Sequence, residues 1–268
     1  VVAAENFWGS IAAQLAGSKA SVHSVISNPA QDPHSYEPTA ADARALATAR
    51  LVIVNGIGYD PWAPRLLAAN PSSGRQVLTV GSLLGLGAGE NPHRWYDPAN
   101  VGEVASAITN DLVSLDPKDA AYYRARLTRF NTVGLARYHQ LIAAIRARYA
   151  GVRVGASESI FALQAPALGL DLITPASLMK AVSEGTDITA QDASIAEAQI
   201  SGRAIKVWIY NIQNQTPEVQ HLTSLARAQR IPIVTITETL APSTASFEQW
   251  QAAQLEELQG ALHRATGR

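Results

Sequence analysis

Two histidines in this 268-residue chain sit in matching surroundings. His34 lies in Asp32-Pro33-His34-Ser35-Tyr36-Glu37-Pro38, and His93 in Asn91-Pro92-His93-Arg94-Trp95-Tyr96-Asp97-Pro98. Each follows a proline directly, has an aromatic residue two positions later, and is closed by an acid–proline step. Proline fixes its own φ, so both imidazoles are carried on backbone whose course is largely preset, as a preorganised ligand requires. A single loop histidine beside an acid is commonly a solvated surface residue; two such loops in one half of the chain argue for a shared purpose. The second half offers carboxylates, Glu158 in Gly155-Ala156-Ser157-Glu158-Ser159 and Glu238 in Thr235-Ile236-Thr237-Glu238-Thr239. Each acid alone reads equally well as a solvated loop residue. Together, two neutral imidazoles and two carboxylates bring a formal charge of −2 to a dication, a sound donor set for a divalent transition metal.

A different chemistry competes for part of this set. Gly155-Ala156-Ser157-Glu158-Ser159 also resembles a degenerate nucleophile elbow, and Ser157, Glu238 and His263 follow the serine–acid–histidine order of an α/β-hydrolase esterase. Against it, Ser159 replaces the glycine that permits the sharp turn, no glycine-rich oxyanion segment is present, and both Pro-His loops are left without a purpose. Gly56-Ile57-Gly58 lacks the third glycine and later acid of a dinucleotide fingerprint and reads as a tight turn. His23, His139, His221 and His263 fall on a strand or on helices and read as structural or solvated. Asp97 and Glu37 suit either the orientation of His93 and His34 or helix capping and loop bracing.

The elements that must position these residues alternate. Short β-rich runs fall at residues 1–4, 21–26, 51–55 and 76–80, then at 152–156, 171–174, 204–210 and 233–237. Amphipathic helical stretches fall at 8–15, 40–49, 62–69, 101–115, 187–200, 217–229 and 246–265. Such alternation predicts an α/β fold of mainly parallel sheets flanked by helices. In open parallel sheets ligands collect beyond the carboxyl ends of the strands, and all four metal candidates follow a strand. Between Pro117 and Tyr149 the rhythm breaks. Leu127, Phe130, Leu135, Tyr138, Leu141, Ile142 and Ile145 recur at helical spacing, which predicts one long rigid α-helix of roughly 45 Å at about 1.5 Å per residue. With four strands on either side, the expectation is an N-terminal lobe at 1–116, a connecting helix at 117–149 and a C-terminal lobe at 150–268.

Composition supports a packed core and excludes several partners. Hydrophobic residues make up 47% and charged residues 16%, which rules out a disordered class. A net charge of −1 provides no field for nucleic acid. No apolar run reaches the roughly 18 residues that span a bilayer. The absence of cysteine removes disulfides, thiolate metal sites and a cysteine nucleophile. Residues 1–4 already read as a strand, so the chain reads as mature or trimmed, with any export signal upstream.

The run DPHSYEPTAADARALATARLVIVNGIGYDPW, followed by NPHRWYDP and then ASESIF, resembles the metal-binding substrate-binding proteins of manganese and zinc ABC importers, the ZnuA–TroA-like family. The resemblance runs from the first strand to the final helix. It implies two lobes joined by the long helix, and ligands at His34, His93, Glu158 and Glu238. It implies capture of one divalent ion between the lobes and delivery to an ABC permease outside the cytoplasm by a monomer held through an upstream lipid anchor. The fourth ligand in such proteins is more often Asp, and the histidine-rich loop common in zinc-type members is missing, since Leu83–Asn91 has no histidine. Hard carboxylates favour manganese or ferrous iron; zinc competes strongly at any N/O site. Manganese is therefore expected first, zinc close behind, with Fe2+ also admissible.

Overall fold

The computed structural model describes residues 1–29 and 36–268. Eight strands form two four-stranded sheets. The first holds β1 (Val2–Glu5), β2 (His23–Ile26), β3 (Leu51–Val54) and β4 (Gln76–Thr79) in the order β2-β1-β3-β4. The second holds β5 (Arg153–Ala156), β6 (Asp171–Leu172), β7 (Trp208–Asn211) and β8 (Ile233–Ile236) in the order β6-β5-β7-β8. Every pairing is parallel. All residues of the inner strands β1 and β3 are buried, as expected of sheets covered on both faces, whereas the edge strand β2 is partly exposed. The two sheets repeat one strand order, so β3 and β7 occupy equivalent third positions.

The chain divides into two compact units, Val1–Ala136 with Thr239–Phe247, and Arg137–Glu238 with Glu248–Arg268. The excursion at Thr239–Phe247 is tied into the first unit by Leu240 N–H donating to Asn6 Oδ1 at 3.1 Å and Phe247 N–H donating to Ser10 Oγ at 2.9 Å. In the first unit, Val2, Ala4, Val52, Val54, Leu46 and Trp62 form an apolar core. In the second, Leu178, Val182, Ile200, Trp208, Val219 and Leu222 do the same.

Helices begin where side chains satisfy free N–H groups. Asp97 accepts from Ala99 N at 2.9 Å with Pro98 at the first helical position, starting Pro98–Leu115. Thr216 and Thr189 cap Pro217–Ala228 and Ala190–Ser201 in the same way. The stretch from Pro117 to Tyr149 is helical but changes character along its length. It opens with a 3-10 turn at Pro117–Asp119, continues as Ala120–Arg129, widens into a π-turn at Phe130–Gly134, and resumes as Ala136–Tyr149. Leu135 N–H reaches back five residues to Phe130 O at 2.8 Å. In a regular helix, residues five apart point about 140° from one another. The wider turn brings Phe130 and Leu135 onto the same buried face. A helix at Ala176–Ser183 was not expected from the sequence; it spans only eight residues directly after Pro175, too short to show a helical period, and buries Leu178, Met179 and Val182.

Candidate functional site

In the first unit, β4 leads into a single helical turn at Val80–Leu83 and then a loop, at whose end His93 lies fully buried. Its position is fixed from several sides. Its backbone N–H donates to Asn91 Oδ1 at 3.1 Å, and its ring Nδ1 lies 2.8 Å from the same oxygen. A carboxamide oxygen only accepts, so Nδ1 is the donor of this pair, and Nε2 is the ring nitrogen left for ligating a metal. The ring packs edge-on against Tyr59 and Trp95, with centroids 5.9 and 5.3 Å away, and Trp95 stacks on Phe7 at 3.7 Å. Asn55, immediately after β3, donates from Nδ2 to Pro92 O at 3.0 Å and accepts from the Trp8 indole at 3.0 Å. The loop preceding His93 is thereby pinned to the sheet.

Asp60 braces the same turn by accepting from Asn55 N at 2.7 Å and Gly56 N at 2.8 Å. Glycine is required at 56, where φ is +72°. Burial pushes the Asp60 carboxyl up to about 6, the two backbone donors limiting the rise. Glu5, the last residue of β1, is wholly buried, and burial first and the charge of Asp60 second hold it well above the ordinary carboxylate range.

His34 lies outside the described residues. Just beyond it, Tyr36 Oη donates to Asp42 Oδ2 at 2.7 Å, and Asp42 forms a reciprocal capping box with Thr39. Burial acts to raise the Asp42 carboxyl, but hydrogen bonds from Thr39 and Tyr36 outweigh it and hold it below its usual value.

The second unit brings its two predicted acids together. Glu158 lies two residues beyond β5 and Glu238 two residues beyond β8, each 1% exposed, with carboxylate oxygens within 4.8 Å of one another. Between β5 and β8 runs β7, and its last residue, Asn211, is fully buried. Asn211 Nδ2 donates to Glu158 Oε2 at 2.9 Å and to Glu238 Oε1 at 2.8 Å. Its Oδ1 accepts from Gln213 N at 3.0 Å, and Gln213 Oε1 accepts from Glu238 N at 2.7 Å. Ser183 Oγ adds a longer bond of 3.3 Å to Glu158 Oε1. Sequence reasoning passed over Asn211, because asparagine at a strand end is ordinarily a turn former. The available signal was a polar residue ending an otherwise apolar buried strand, repeated in Val52-Ile53-Val54-Asn55 and Trp208-Ile209-Tyr210-Asn211.

The esterase reading is not supported. The Ser157 hydroxyl accepts from Asn211 N at 3.3 Å, while His263 is exposed near the chain end with its ring against the Arg268 carbonyl. No hydrogen bond joins Ser157 to His263 among the described residues, so the serine has no base to activate it. His23, His139 and His221 are also exposed. Asp97 serves as a helix cap, and Glu37 points to solvent.

A family profile described as "Zinc-uptake complex component A periplasmic" matches residues 1–261. The chain is similar to the manganese-binding lipoprotein MntA of Halalkalibacterium halodurans, 31% identical over 130 residues that make up 47% of this chain and 42% of the relative. It is also similar to the manganese ABC transporter substrate-binding lipoprotein PsaA of Streptococcus pneumoniae, 30% identical over 144 residues, or 48% of this chain and 46% of the relative. The chain thus spans less than half the length of these curated relatives. Among solved structures, a periplasmic metal binding protein from Candidatus Liberibacter asiaticus superposes with a TM-score of 0.78 at 17% identity, covering 97% of this chain and 98% of that one. The substrate-binding protein FpvC from Pseudomonas aeruginosa in complex with Mn2+ gives 0.77 at 20% identity, covering 98% and 97%. At these identities the likeness is one of fold.

Proposed function

The chain belongs to the periplasmic family of zinc-uptake complex component A, and from that premise we propose that it captures one divalent transition-metal ion and delivers it to the permease of an ABC importer. The family is one of substrate-binding proteins, not enzymes. In this reading His34 and His93 supply two imidazole nitrogens, and Glu158 and Glu238 supply two carboxylates.

The observation that carries the reading is the acid pair. Two carboxylates, each 1% exposed and within 4.8 Å of one another, repel strongly in a medium less polar than water. A dication bound to both converts that repulsion into attraction. The bond from His93 Nδ1 to Asn91 supports the same conclusion from the first unit, since it leaves Nε2 as the nitrogen to ligate an ion. Four protein ligands leave little room for a reacting molecule on the metal, which suits capture and release rather than metal catalysis.

Manganese is the favoured cargo because half the donors are hard carboxylates, with zinc next and Fe2+ also accepted. Zinc nonetheless binds such N/O sets more tightly than manganese in solution, so affinity and cargo need not rank alike. The protein acts outside the cytoplasm as a monomer held by a lipid anchor upstream of residue 1. Elemental analysis of the purified protein, followed by competition titration of the metal-free form with Mn2+, Zn2+ and Fe2+, tests the proposal. One bound equivalent is expected, with Zn2+ displacing Mn2+. Failure of all three ions to bind would refute it.

A further inference from the structure

We propose that Asn211 is the positioning residue that sets the spacing and direction of the two carboxylates before the ion arrives; this rests on the reading that Glu158 and Glu238 are ligands. Neighbouring strands lie roughly 4.8 Å apart, so β5 and β8, separated by β7, are about 9.6 Å apart. Glutamates leaving two such strands have no backbone reason to meet. Their carboxylates nevertheless come within 4.8 Å of one another, and the side chain lying between them is Asn211.

One amide nitrogen supplies both bonds. The two hydrogens of Nδ2 are fixed in the plane of the carboxamide, so the 2.9 Å bond to Glu158 and the 2.8 Å bond to Glu238 fix two directions at once. The carboxamide cannot swing, because its oxygen receives Gln213 N–H at 3.0 Å and its own backbone N–H goes to Ser157 Oγ at 3.3 Å. Each bond occupies a stated oxygen, Oε2 of Glu158 and Oε1 of Glu238, and so sets where the other oxygen of each carboxylate points. Asn211 also carries no charge. A lysine or arginine would neutralise the pair and compete with the ion, whereas a neutral double donor orders the acids and leaves their charge for the cation.

The first sheet contains a counterpart. Asn55 follows the equivalent strand β3 and holds Pro92 O, one residue before His93. In both sheets an asparagine at the end of the third strand orders a ligand, or the residue before it, without being a ligand itself.

The test uses Asn211→Leu, which keeps the volume and removes both donors, and Asn211→Ser, which keeps one short donor. Mn2+ and Zn2+ affinities are measured on the metal-free proteins, together with the visible absorption of bound Co2+, which reports coordination geometry, and thermal unfolding to establish that each variant is folded. The expected loss is about 10- to 100-fold in affinity for Asn211→Leu and less for Asn211→Ser, with an altered Co2+ spectrum in both. In a Glu238→Ala background, Asn211→Leu should cost several-fold less, because only one held carboxylate remains. An equal loss in both backgrounds would assign Asn211 a general structural role and overturn the inference. So would wild-type affinity and spectrum in folded Asn211 variants. If Asn211→Leu does not fold, Asn211→Ser decides. Wild-type binding by Glu158→Gln and Glu238→Gln would instead overturn the ligand assignment beneath it.

Discussion

Glu5 and Asp60 show how buried acids can tie the stability of this protein to pH. Both carboxyls are raised by burial, and the charge of Asp60 raises Glu5 further. A raised acid holds its proton in the folded state over a pH range where the unfolded chain has released it. Its contribution to stability is therefore complete below the ordinary carboxylate values near 4 and fades as pH rises through the folded values, which for Asp60 is about 6. The metal-free protein should thus lose stability from this pair as pH rises above the ordinary carboxylate range, through about 6 for Asp60 and through the raised value of Glu5. Glu5→Gln keeps a neutral side chain at all pH values, so it should flatten that slope and melt higher than wild type at pH 8. Melting curves across this range check it; an unchanged slope would show that the pair is not responsible. None of this was legible in the sequence, where Glu5 is one acid past an expected strand end. Burial of a strand-end acid depends on what the other strands place above it. His93 stood out in the sequence through its Pro-His loop, and Glu158 and Glu238 through their place just past strand ends, where ligands collect.

At the scale of elements, all eight strands were legible as apolar runs between helical patterns, although several ends moved by a few residues. The helix at Ala176–Ser183 and the π-turn at Phe130–Gly134 were not. The first is too short for periodicity to accumulate, and the second is a response to packing, which aligns two buried residues that regular helix geometry would part. The strands that carry the acid pair have little slack. A Cβ added at Gly155 on β5 would lie 2.9 Å from Ile205 Cδ1 and 2.9 Å from Trp208 Cε3. Trp208 is 1% exposed, and its indole N–H is committed to Thr223 Oγ1 at 3.0 Å, so it cannot step aside. Gly155→Ala should therefore destabilise the protein by about 1–3 kcal/mol through overpacking. Urea denaturation of the metal-free protein measures it, and an unchanged midpoint would show that β5 and β7 can separate freely.

For the whole molecule, the sequence foretold two sheets of equal size, and the chain builds them with one strand order used twice. What it did not reveal is that Thr239–Phe247, late in the chain, belongs to the first unit. Hydrogen bonds to Asn6 and Ser10 help hold the segment there, and no local pattern announces them. Among the described residues no helix is long and apolar enough to cross a membrane. Binding of an ion to the folded state alone must stabilise it by mass action, by about 2.7 kcal/mol when free metal is 100 times Kd. For a chain of this size that corresponds to a rise of roughly 5–10 °C in Tm. A Tm indifferent to Mn2+ and Zn2+ would count against capture.

The most direct test of the four-ligand proposal is calorimetric titration of Mn2+ into metal-free wild type and the single variants His34→Ala, His93→Ala, Glu158→Ala and Glu238→Ala, each first shown to be folded. One ion per wild-type chain is expected, with a loss of at least about 100-fold in affinity for every variant, since each removes a ligand outright. Wild-type affinity in both His34→Ala and Glu238→Ala would contradict the proposal, because no site built from these residues could survive the loss of either.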